Sequence, residues 1–97
     1  MTETSEQTQP QLIGHALDAA VAALEGVDGT NPPAYSTDPS LGHTIIEREK
    51  IDLEYDSIIG DWRAVHPKHY SGPPWLSAHG PTALIAAMRC YAKLSAP

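Results

Sequence analysis

Residues 80–94 read GPTALIAAMRCYAKL, and this stretch decides the fold. A turn signal, Gly80-Pro81, runs into a helix. Thr82 is placed to cap it, because its hydroxyl can accept from a first-turn amide that has no helical partner. Ala83, Ala86 and Ala87 favour helix. Leu84, Ile85, Met88, Tyr91 and Ala92 recur at spacings of three and four and make one apolar stripe. Arg89 and Lys93 stand a turn apart near the C-terminal end, where positive charge suits the helix dipole. Ser95, Ala96 and Pro97 stop the helix. Its stripe needs a surface to cover, and the rest of the chain must supply one.

A second strong helix is expected from Gln11 to Glu25, opened by Pro10. Leu12, Ile13, Ala16, Leu17, Ala20, Val21 and Leu24 form its expected buried stripe. His15, Asp18, Ala22 and Glu25 fall outside that stripe. Gly26 or Gly29 supplies a left-handed cap. Residues 1–10 are polar and aperiodic and read as a disordered tail, so the domain runs over 11–95. The loop that follows the helix is rich in turn formers, and Tyr35 is its only large side chain. A plug over the edge of the core is the plainer role for Tyr35, and a ligand contact the sharper one.

Asp38-Pro39 is another start signal, and Leu41, Ile45 and Ile46 follow at helical spacing. A short helix from Pro39 to Glu49 is expected, with a strand over Thr44 to Lys50 as its rival. The run Glu47-Arg48-Glu49-Lys50 reads as a solvated face. Ile51, Leu53 and Tyr55 then alternate with Asp52, Glu54 and Asp56, the pattern of a half-buried strand. Asp61 to His66 alternates again, and the two runs suit an antiparallel hairpin. Ser71 to Pro74 reads as a turn, and Trp75 to His79 as a third short strand. The fold class is therefore α+β: an N-terminal helix, a short second helix, a small antiparallel sheet of two to three strands, and a C-terminal helix packed on the sheet.

Composition bounds the function. The 97 residues make one domain, and 41% apolar content favours a folded chain. No apolar run approaches the roughly 18 residues of a membrane span. The start MTETSEQTQP lacks the basic and apolar segments of a signal peptide. One cysteine, Cys90, allows no disulfide within the chain and no cysteine zinc cluster, and a reducing cytoplasm fits best. Twelve acids stand against six bases, a net charge of −6, which disfavours nucleic acid as a partner.

Candidate chemistry is sparse. His66 and His69 flank a proline and do not form the helical pair of a metalloprotease, so surface histidines are the simpler reading. No serine sits in a nucleophile elbow, and no phosphate-binding loop or dinucleotide fingerprint is present. A non-enzymatic protein without a cofactor is expected. The helix start at Thr82 offers free amides to an anion. Trp62 and Trp75 could stack on a ring or pack under the helices. Asp52, Glu54, Asp56 and Asp61 give an acidic edge. Such an edge can mimic phosphates toward a basic protein, or simply keep a small domain soluble and blunt an edge strand.

The order helix, strands, helix is similar in topology to the double-stranded RNA-binding domain, but the final helix lacks that domain's basic opening. A closer resemblance rests on four features: LIGHALDAAVAALEG, Tyr35-Ser36-Thr37-Asp38, Ile45-Ile46-Glu47-Arg48-Glu49 before Ile51, and Trp62 followed by GPTALIAAMRCYAKL. Over about Leu12 to Leu94 the chain resembles the NinX-like proteins, a small family encoded by tailed bacteriophages and prophages. The resemblance implies a phage accessory protein of the host bacterial cytoplasm and carries no mechanism. The leading expectation is a binding protein that counteracts a host defence system. One version is an anti-CRISPR-like inhibitor whose acidic edge (Asp52, Glu54, Asp56) meets a basic defence protein. The other is a homo-oligomer that sequesters a nucleotide signal with Tyr35, Trp62, Thr82 and Arg89. The alternatives are an accessory or regulator of phage DNA metabolism and a small metal-dependent enzyme.

Overall fold

The computed structural model describes residues 12–67 and 76–95. Its elements are α1 (Gly14–Glu25), α2 (Pro39–Glu49), β1 (Asp52–Asp56), β2 (Asp61–Val65), β3 (Ser77–Gly80) and α3 (Ala83–Ala92), the last followed by a 3-10 turn at Lys93–Ser95. The three strands form an antiparallel sheet in the order β1-β2-β3. The expected α+β architecture is present, with the C-terminal helix against the sheet. The expected tail at 1–10, the turn at Ser71 to Pro74, Trp75 and His69 lie outside the described residues.

The caps explain the boundaries. Thr82 Oγ1 accepts from Ile85 N at 3.0 Å and starts α3 as its position suggests. Asp38 Oδ1 accepts from both Ser40 N and Ser40 Oγ and starts α2 ahead of Pro39. Gly26, at φ 75, closes α1 in the left-handed conformation. The first helix begins at Gly14 and not at Gln11, because Ile13 is extended at φ −144. The rival strand over Thr44 to Lys50 is not formed, and α2 runs unbroken through Ile45 and Ile46.

Packing is close because the facing residues are small. Leu53, Ala64 and Ala78 stand in register across the three strands, and Ala86 and Ala87 of α3 are buried with them in one core. Leu17 and Val21 of α1, Ile45 of α2 and Met88 of α3 fill the space around this seam. Gly42, which weakens α2 by propensity, is buried where a Cβ would meet Leu84 and the carbonyl of Tyr35.

The buried face of α1 differs from the expected stripe. Leu17, Asp18, Val21 and Ala22 are buried, while Leu12, Ile13 and Ala16 are exposed. The face is turned because Asp18 ties the long loop to the helix, its Oδ1 accepting from Ser36 N at 2.8 Å. A hydrogen-bonded carboxylate tolerates burial that an unpaired one would not.

Candidate functional site

The hairpin between β1 and β2 is the most unusual surface of the described residues. Its loop, Ser57 to Gly60, is held by Asp56. The Asp56 carboxylate accepts from Ile58 N at 3.0 Å and from Ile59 N at 3.4 Å, and the Asp56 carbonyl accepts from Gly60 N at 2.8 Å. Gly60 closes the turn at φ 76, a conformation that glycine adopts without strain. This turn points two isoleucines at solvent: Ile58 is 92% exposed and Ile59 58%. Behind them Tyr55, 53% exposed, meets the edge of Trp62 in a T-shaped pair with ring centroids 5.4 Å apart. Trp62 is half-buried and also packs against the core, so it belongs to both core and surface.

Acids flank this tip on both strands. Asp52 and Glu54 are exposed on β1, an edge strand of the sheet. Asp56 and Asp61 sit opposite one another in the register, and Glu54 opposes Arg63. The Glu54–Arg63 pair is long, at 3.5 Å, and solvent-exposed, so it adds little to stability. Like charges placed directly across two strands cost stability, so the juxtaposition of Asp61 with Asp56 works against the hairpin even as the Asp56 carboxylate holds its turn.

A second polar constellation joins the C-terminal ends of four elements. Arg48, in the last turn of α2, donates from two nitrogens to the Glu25 carboxylate of α1, at 2.7 and 3.1 Å. Its Nε donates to Glu49 at 3.0 Å. The Tyr91 hydroxyl of α3 accepts from Arg48 at 3.0 Å and donates to Glu25. His66, just past β2 and 4% exposed, places Nε2 2.9 Å from Glu49 Oε1. A carboxylate only accepts, so Nε2 carries the proton in this contact. The Arg48 hydrogen bond holds Glu25 below its ordinary pKa, and the His66 hydrogen bond does the same for Glu49. Burial and the Glu25 carboxylate push Tyr91 up to about 12.

This clasp corrects two sequence expectations. Arg48 and Glu49 are not merely a solvated face, and His66 is not a surface histidine. The signal in the sequence was faint: Glu25, the adjacent Arg48 and Glu49, His66 and Tyr91 are far apart in the chain and meet only through tertiary packing.

The residues expected to contact a nucleotide are dispersed and engaged. Tyr35 is buried in the core, 7% exposed, where burial raises its pKa. The Thr82 hydroxyl caps α3. Arg89 donates to the carbonyls of Leu12 and His79, at 2.9 and 3.0 Å. It thereby ties the chain ahead of α1 to β3 and the last helix. Cys90 is fully buried, donates to the Leu76 carbonyl, and has its pKa raised by burial to about 11, which keeps the thiol protonated and inert. Asp52, Glu54 and Asp56 alone among the expected site residues form a shared surface. No group of three or more His, Cys, Asp or Glu side chains that could hold a metal ion occurs among the described residues. No helix among them is long and apolar enough to cross a membrane.

The family model described as Bacteriophage P22, NinX matches residues 28–93. The chain belongs to the NinX family. The matched region begins after α1 and takes in the Tyr35 loop, α2, the whole sheet and all of α3. The acidic hairpin, Arg48, Glu49, His66 and Tyr91 lie within the NinX region, whereas Glu25 lies outside it. No curated protein matches the chain.

Proposed function

We propose that this NinX-family chain is a non-enzymatic binding protein that acts for the phage in the host bacterial cytoplasm, occupying a basic surface on a host defence protein. The observation that carries this reading is the acidic hairpin. Between Ile51 and Trp62 there are four acids and no lysine or arginine, and β1 presents Asp52 and Glu54 to solvent along an edge of the sheet. Such a potential steers association with a basic partner and rejects acidic ones. The reading prefers a protein partner to a nucleotide signal because Tyr35, Thr82 and Arg89 are each engaged within the fold.

The test is plaque formation by sensitive phage on bacteria that express the protein. The strains should carry defined defence systems, CRISPR and nucleotide-signalling types included. Restored plaques in one strain are the expected result, and that strain identifies the pathway. Unchanged plaque counts in every strain, with the protein soluble, would remove the anti-defence reading for those systems. The choice would then pass to an accessory of phage DNA metabolism.

A further inference from the structure

The hairpin tip carries a feature that acidity alone does not require. Ile58 and Ile59 stand outside the core, yet the Asp56 carboxylate and the left-handed Gly60 fix the backbone that presents them. A turn fixed in advance loses little entropy when it binds, and β-branched isoleucines have few rotamers to lose. Tyr55, stacked on the anchored Trp62, extends the apolar surface down the hairpin. An apolar centre beside polar residues is the usual anatomy of an interface, and here the alternation of β1 puts Asp52, Glu54 and Asp56 on the face opposite Tyr55.

Resting on the binding function proposed above, we infer that the Ile58-Ile59 tip inserts into an apolar cleft of the host protein and that lysines or arginines at the rim of the cleft meet Glu54, Asp56 and Asp61. Charge selects this occupant. A second copy of the chain would bring the same four acids against these four. An anionic membrane surface repels these acids, and so does nucleic acid.

The test is photo-crosslinking in cells of the phage's host, with a benzophenone amino acid placed in the full chain. Position 58 probes the tip, position 54 the acidic edge, and position 44, exposed on α2, serves as control. The expected result is a crosslink from 58 to one host protein, absent from 44. Peptide mapping should place it beside apolar residues flanked by Lys or Arg. Ile59→Ser should then weaken capture at 58 about tenfold, the loss expected for one buried isoleucine. Ile59 is exposed, so this variant should fold as the wild type does. A crosslink from 54 without one from 58 would overturn the tip and leave the acidic-edge reading standing. Crosslinking from neither position would overturn both. A crosslink from 58 to a second copy of the chain would overturn the proposed occupant.

Discussion

Replacing Gly80 by alanine should destabilise the protein by about 3 kcal/mol, a large part of what a small domain has to lose. A Cβ on Gly80 would lie 2.7 Å from Ala86 N and 3.1 Å from Ala86 Cα, both backbone atoms of α3. No rotamer change relieves that contact. The strand must move away from the helix, which also strains the pairing of Gly80 with Trp62. A urea titration followed by circular dichroism measures the loss. An unchanged midpoint would mean that α3 does not sit this close to β3.

Arg48→Ala should cost about 2 kcal/mol near neutral pH. The variant leaves Glu25 and Glu49 without their cation and deprives the Tyr91 hydroxyl of a donor. The figure is kept below that of a fully buried pair because the Arg48 side chain is 44% exposed and solvent screens part of the interaction. The clasp also sets a pH dependence. Glu25 and Glu49 have pKa values depressed below 4.5 in the folded protein, so their contribution is complete above 4.5 and is lost as pH falls through the folded values. Tyr91 is raised from 10 to about 12, so its contribution is complete below 10 and is lost as pH rises toward 12. Thermal unfolding of wild type and variant between pH 3 and 7 checks the acid limb. The gap between the two should narrow as pH drops below 4.5. A gap that stayed constant would show that the depressed carboxylates owe nothing to Arg48.

The elements were legible because their signals are local. Asp38 before Pro39, Thr82 after Pro81 and the alternation from Ile51 to Asp56 each act within a few residues, and the structure places α2, α3 and β1 there. The NinX resemblance was legible for the same reason, since its motifs are contiguous. The turned face of α1 was not. Periodicity weighs apolar side chains, and it has no means of knowing that Asp18 would be buried by a loop amide 18 residues away. The clasp was hidden likewise, because Arg48 meets Tyr91 across 43 residues and Glu25 across 23. The acidic edge was visible as alternation. The exposure of Ile58 and Ile59 was not, because only the turn held by Asp56 and Gly60 aims the two adjacent isoleucines outward.

The most direct measurement is plaque formation in the strain that the wild-type protein rescues, repeated with the Asp52→Lys, Glu54→Lys double variant. Both positions are exposed on β1, so the variant should keep the wild-type fold, with a slightly lower unfolding midpoint because the new positive charge at position 54 faces Arg63. The expected result is loss of rescue with the folded variant, because the charge that meets the partner has been reversed. Full rescue by the folded variant would contradict binding through the acidic hairpin.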